Sequence, residues 1–218
     1  MRVIRLTTKN QQEIINQTLA VLKAGGVVIF PSDTVYGLLA DATNPKAIDK
    51  LLAFKDRPAG KAISVFVTDK KMAEKYVILN QNANNVINNL LPGPFTVVCK
   101  YRFAGQNLQP ETEANFKNAN NQKIPNLAAA KSSIVRSPNL KTIDPRLPAE
   151  NGTLGIRIPD FPLMNKLVSI FGLPLTATSA NLSGKPPVHS IPTILKTLSQ
   201  KKKLLLDLII DAGTLPKN

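Results

Sequence analysis

A chain of 218 residues with 43% apolar and 19% charged residues has an ordinary globular composition, long enough to bury a full core as one domain or as one domain with a large insertion. One cysteine, Cys99, and one histidine, His189, exclude an intrachain disulfide and a cysteine-built zinc site and argue against multi-histidine metal chemistry. Twenty-eight Lys and Arg against 14 Asp and Glu give a formal net charge of +14, which favours a polyanionic partner such as tRNA or another RNA, or simply a basic surface.

In chain order, residues 3–6 read as a strand with no secretory h-region before it, and no run nears the roughly 18 apolar residues of a membrane span, so a cytoplasmic protein without membrane contact is expected. Ile14, Ile15, Thr18, Leu19 and Leu22 make one face of a helix over 11–23, ended by Gly25-Gly26. Val27 to Phe30 is a buried strand stopped by Pro31, and it delivers a polar loop with Ser32, Asp33 and Thr34, with Gly37 supplying backbone angles that other residues resist. Asn44 caps and Pro45 opens a helix carrying Ala47, Ile48, Leu51 and Leu52, which must stop before Pro58. Lys55 and Arg57 at its end suit either the helix dipole or an anionic ligand, and Lys61 adds a third cation nearby.

Ile63 to Val67 is the next strand, and Asp69 caps a short helix through Tyr76. Residues 82–91 place Ala83, Val86, Ile87, Leu90 and Leu91 on one helical face; Pro92-Gly93-Pro94 breaks that helix and launches a strand, Phe95 to Tyr101, in which Cys99 reads as a small buried hydrophobe. Residues 102–152 have few large apolar residues in any period and many Asn and Pro, which predicts a long, partly mobile loop or insertion. Order returns with a strand at Leu154 to Ile158. Asp160 then caps a helix with Pro162 in its first turn, and a strand at Leu173 to Ala177 feeds the loop Thr178-Ser179-Ala180-Asn181. A helix from Pro192 to about Ser199 and a strand from Leu206 to Ile210 follow, and the alternation argues for an α/β sheet.

Three strand-end segments (Ser32 to Thr34, Thr153 to Arg157 and Thr178 to Asn181) and the Lys55 to Lys61 stretch therefore supply polar groups, without paired acids or a cysteine nucleophile. Such a set suits positioning and charge stabilisation, as in phosphoryl or nucleotidyl transfer, more than covalent catalysis.

The ordered set Pro31-Ser32-Asp33-Thr34-Val35-Tyr36-Gly37-Leu38, Lys55-x-Arg57-Pro58, Pro92-Gly93-Pro94-x-Thr96, Gly155-Ile156-Arg157-Ile158-Pro159 and Thr178-Ser179-Ala180-Asn181-Leu182-Ser183-Gly184 resembles the YrdC family of L-threonylcarbamoyladenylate synthases, in its single-domain form. The resemblance implies one YrdC-like domain over 1–218, three-layered, with a twisted mixed β-sheet flanked by helices and an insertion or long loop at 102–152. It implies the joining of L-threonine, bicarbonate or CO2, and ATP into L-threonylcarbamoyl-AMP and pyrophosphate, with Mg2+ accompanying ATP and no protein metal site. Downstream threonylcarbamoyl-transfer proteins would pass the group to tRNA. By the same resemblance Lys55, Arg57, Ser179 and Asn181 are catalytic. ATP is bound by Lys55, Arg57, Lys61, Thr153 and Ser179, and threonine by Thr34, Arg157 and Ala177.

Two departures are visible: Phe66 stands where some members carry histidine, and many members continue beyond the position of Asn218 into further nucleotide contacts. The latter sets an expectation of weaker ATP contact or of closure by the insertion. Competing readings are a non-catalytic binder of tRNA or double-stranded RNA and, third, a carbamoyl-adenylate-forming relative of the hydrogenase-maturation type.

Overall fold

The apolar spacing of residues 14–22 is spent on burial. In a computed structural model, which describes residues 1–56, 61–103 and 141–216, Ile14, Ile15, Thr18, Leu19 and Leu22 all point into the core from helix α1 (Gln11–Lys23). Gly25 takes a φ of 78° just past its end. Helix α2 (Pro45–Lys55) begins as predicted, with Asn44 Oδ1 accepting from Lys46 N and Ala47 N and proline in the first turn. The remaining described helices are α3 (Lys70–Glu74), α4 (Gln81–Leu90), α5 (Pro162–Phe171), α6 (Ile191–Thr197) and α7 (Gln200–Lys203).

The strands are β1 (Arg2–Arg5), β2 (Val28–Phe30), β3 (Gly37–Leu39), β4 (Ser64–Phe66), β5 (Val77–Ile78), β6 (Val97–Tyr101), β7 (Thr153–Arg157), β8 (Leu175–Ser179) and β9 (Leu208–Asp211). They join in the order β1-β9-β2-β3-β8-β4-β7-β6-β5, a mixed sheet in which β1/β9, β2/β9 and β4/β7 are parallel and the other pairs antiparallel. Helix α1 packs on α5 and against β2 and β9, and Phe30, Tyr36 and Phe54 are fully buried. Asp207 staples the centre, accepting from Val27 N at 2.8 Å and pairing with Lys50 at 3.2 Å.

Several sequence expectations are corrected. Gly37 has no positive φ; it opens β3, and a Cβ there would meet nothing nearer than 3.7 Å. Asp160 does not cap α5, whose N-cap is Phe161 with no side-chain cap bond; separately, the Asp160 N–H donates to Asp33 Oδ2 at 3.2 Å. β8 runs on through Thr178 and Ser179, which belong to the strand and not to the loop after it. Of the apolar face read on α4, Ile87 is buried while Val86 and Leu90 are exposed.

Most of residues 102–152, expected from sequence to be an insertion or long loop, lies outside the described residues. Of the described residues in this stretch, Ile143 and Leu147 are buried, and Arg146 bridges Asp144 and Asp49. Burial favours a neutral Asp144, but hydrogen bonds and charge from Arg146 win and hold its pKa below the usual carboxylate value. Cys99 is buried in β6, and burial pushes its thiol pKa up, as befits an unreactive core residue.

Candidate functional site

Alternate residues of a strand share a face, and cross-strand partners stand side by side, so the ladder registers fix which side chains meet. Three rows cross the face of β8, β4, β7 and β6. The first holds Leu175, Phe66 and Arg157, paired as Phe66↔Leu175 and Phe66↔Arg157. The second holds Ala177, Ser64, Gly155 and Val98, paired as Ser64↔Ala177 and Val98↔Gly155. Ser64 adjoins Gly155 so closely that a Cβ on the glycine would lie 2.2 Å from Ser64 Oγ and 2.9 Å from Thr96 Cγ2. The third row holds Ser179 and, two strands further on, Thr153 paired with Lys100. Successive rows stand ~7 Å apart, the rise of two strand residues.

Arg157 dominates the first row. Its Nη2 donates to Asp33 Oδ1 at 2.5 Å and to Thr34 Oγ1 at 3.0 Å, and the guanidinium carbon lies 5.7 Å from the centroid of the Phe66 ring. The polar loop after β2 therefore reaches over this face of the sheet. Phe66, noted as a departure, is a cation–π shelf for the arginine. With both Nη2 hydrogens engaged, Nη1 and Nε remain; Nε is buried and has no hydrogen-bond partner among the described residues. The loop itself is held from beneath: Ser32 Oγ donates to Val35 O at 2.7 Å, and the Tyr36 hydroxyl donates to Gly213 O at 2.7 Å and accepts from Ala212 N at 2.9 Å. Burial pushes the Tyr36 pKa up to about 12.

Lys55 organises the third row. It is 2% exposed, and its Nζ donates to Ser179 O and Asn181 O, each at 2.7 Å, and to Asn181 Oδ1 at 3.3 Å. Asn181 Oδ1 also accepts from Ser179 Oγ, and Asn181 Nδ2 donates to Lys185 O. The ammonium thus fastens the end of α2 to the Ser-Ala-Asn turn, and Ser183 N closes the join by donating to Lys55 O at 3.0 Å. Sequence reasoning placed Lys55 at the helix end, suited to the dipole or to an anionic ligand; burial makes it an anchor. The helical period alone, with Phe54 and Lys55 following Leu51 on the buried side, carried that signal.

Lys55, Ser179 and Asn181 are thus in direct contact, and Thr34 and Arg157 form a second cluster over the same face. Ala177 lies between them in the second row. Thr153 shares the face but donates to Asn151 Oδ1 at 2.7 Å and touches neither cluster. Lys61 is exposed just before β4. Arg57 lies outside the described residues. Asp33, which orients Arg157, and Gly155, which with Ser64 floors the gap, stood in the sequence motifs but, like Ser64, were given no site role from sequence. Their importance depends on strand register.

A separate hollow is lined by Lys23, Asp41, Thr43 and Lys141, and there Asp41 Oδ1 is taken by Thr43 N and Oγ1 at 2.8 and 2.7 Å. Among the described residues, no group of three or more His, Cys, Asp or Glu could hold a metal ion. No helix among them is long and apolar enough to cross a membrane.

A family model named Sua5/YciO/YrdC, described as "Telomere recombination", matches residues 20–119 and 112–217. A Methanocaldococcus jannaschii protein provisionally named a threonylcarbamoyl-AMP synthase is 29% identical over 213 residues, 98% of this chain and 80% of that one. The threonylcarbamoyl-AMP synthase of Photobacterium profundum is 26% identical over 196 residues, 88% of this chain and 85% of that one. Among solved structures, P. abyssi Sua5 complexed with L-threonine superposes with a TM-score of 0.69 at 21% identity, covering 98% of this chain and 50% of the Sua5 chain. The chain therefore spans about half of that longer protein.

Proposed function

Because the chain belongs to the Sua5/YciO/YrdC family, we propose that it is an L-threonylcarbamoyladenylate synthase, joining L-threonine, bicarbonate or CO2, and ATP into L-threonylcarbamoyl-AMP with release of pyrophosphate. The observation that carries this is the facing of two clusters across one open sheet face, an arginine clasp at Thr34 and a lysine-anchored Ser-x-Asn turn about two rows away. Curated relatives that the chain covers for 80% and 85% of their length carry the activity in their names.

The residues divide the work as follows. L-threonine sits over Ala177 with its carboxylate toward the free hydrogens of Arg157 and its hydroxyl near Thr34. Asp33 and the Phe66 ring keep the guanidinium aimed. The threonine amine attacks CO2 and loses a proton, giving a carbamate. A carbamate oxygen then attacks the α-phosphorus of ATP, forming the acyl–phosphate bond as the bond to the β-phosphate oxygen breaks and pyrophosphate leaves. Transfers of this kind depend on positioning and electrostatic stabilisation. Ser179 and Asn181 orient the phosphates and the carbamate, held in place by Lys55. Arg57, Lys61 and Thr153 complete the ATP contacts. Mg2+ would be carried by the triphosphate and water, with Ser179 the hydroxyl available beside it. The product supplies the threonylcarbamoyl group to adenosine in tRNA through downstream transfer proteins in the cytoplasm, and the basic surface suits a tRNA partner.

Pyrophosphate release from ATP, with threonine and bicarbonate omitted in turn, tests the reading. Release that requires both supports it. Release that needs neither sinks it, and no release alongside tight RNA binding sinks it in favour of the RNA binder.

A further inference from the structure

Among the described residues, Asp56 is the one residue other than glycine with a positive φ, 47°, and it closes helix α2. A side chain disfavours that angle, and such residues persist where their surroundings hold them. What holds Asp56 is Lys202 of α7, whose Nζ donates to Asp56 Oδ1 and to Ala53 O. Ala53 O is among the last four carbonyls of the helix, which lack partners within it, and an ammonium there also meets the negative end of the helix dipole. The Asp56 side chain is 66% exposed and that of Lys202 only 14%, so the lysine is packed in place and the aspartate comes to it. Its backbone is fixed as well. Ser199 Oγ accepts from Lys202 N at 3.3 Å, and just beyond α7 the Asp207–Lys50 pair ties the chain to the middle of α2.

The same last turn of α2 carries Lys55, whose ammonium holds Ser179 O and Asn181 O, while Lys55 O accepts from Ser183 N. Arg57 follows Asp56 directly in sequence. The Arg157 cluster has its own supports, Asp33, Thr34 and Phe66. We propose that Lys202 is a positioning residue for the ATP half of the site: by holding Asp56 in the left-handed conformation it fixes the end of α2, and with it the Lys55 ammonium and the point from which the chain leads into Arg57. Lys202 acts through these residues and touches no substrate; that the nucleotide is ATP rests on the synthase reading.

The test compares Lys202→Met, which keeps a stem of similar length without the ammonium, with Lys202→Arg, which keeps a cation able to reach both oxygens, and with Lys201→Met as a control for net charge. ATP with Mg2+, and threonine, are titrated into each by calorimetry. In Lys202→Met the ATP Kd should rise about tenfold while the threonine Kd holds, and Lys202→Arg and Lys201→Met should stay within about twofold of wild type. The KM values should divide the same way. An ATP Kd unmoved in Lys202→Met, an equal rise for threonine, or an equal rise in Lys202→Arg or Lys201→Met overturns the role. If circular dichroism shows Lys202→Met unfolded, Asp56→Asn takes its place, since asparagine tolerates the left-handed angle but lacks the charge; an ATP Kd raised about threefold supports the role and an unchanged one refutes it. If wild type makes threonine-dependent pyrophosphate and Lys202→Met binds ATP as wild type does, the role falls and the synthase stands. If wild type binds ATP without threonine-dependent turnover and Lys202→Met alone weakens that binding, the role stands and the synthase reading falls. Failure of wild type to bind ATP removes both.

Discussion

Replacing Lys55 by methionine keeps the volume of the buried side chain and removes its charge. The ammonium donates to two carbonyls at 2.7 Å and to an amide oxygen at 3.3 Å, all on the Ser179–Asn181 turn. Each acceptor left unsatisfied in a buried position costs ~1–3 kcal/mol, offset in part because a buried ammonium is itself costly to desolvate. Asn181 Oδ1 keeps the bond from Ser179 Oγ, so two carbonyls carry most of the loss. A net destabilisation of about 3 kcal/mol follows, and for a chain of this size that is a Tm lowered by roughly 6–12 °C. Thermal unfolding followed by circular dichroism reads it directly. Pyrophosphate release assayed well below the transition should fall about a hundredfold, because the turn bearing Ser179 and Asn181 loses its tether and displacements near 1 Å cost that much. A variant with full loss of turnover and a Tm within about 1 °C of wild type would refute the anchoring argument and make Lys55 a ligand contact only.

Asp33→Asn removes the carboxylate of a pair whose side chains are 14% and 8% exposed, so it should cost about 3 kcal/mol in urea unfolding. It should also raise the KM for threonine at least about tenfold while that for ATP holds; an unchanged threonine KM argues that Asp33 does not aim Arg157. The three tyrosines, Tyr36, Tyr76 and Tyr101, each have a pKa raised from the ordinary 10.0 to about 12 by burial. A raised folded-state value gives stability that is whole below pH 10 and lost as pH climbs through about 12. Tyrosinate absorbance should therefore rise late and together with alkaline unfolding, whereas a phenol titrating near 10 in the folded protein would contradict the burial.

Local signals in this chain were dependable where the chemistry is local. The face of α1, the Asn44-Pro45 start of α2 and the Asp69 cap, which accepts from Met72 N at 2.7 Å, were all legible because each depends on residues within one or two turns. β3 and β5, three and two residues long, were missed, since so short a run carries no period to read. Asp160 followed the capping preference on paper, yet the helix starts one residue later, with Phe161 at its N-cap and no side-chain cap bond.

The candidate site divides the same way. Residue types and motif order nominated Thr34, Lys55, Arg157, Ser179 and Asn181, and through the family they supplied the reaction. Sequence could not reveal that Lys55 is buried as an anchor, that Asp33 and Phe66 hold Arg157, or that Gly155 leaves Val98 bare. Each of these follows from strand register and chain crossing between segments 57 to 126 positions apart in sequence. Composition and local order determined which groups this protein owns and which elements carry them. Only the folded sheet decided which groups meet, because a shift of one residue in any ladder would turn its side chains to the other face.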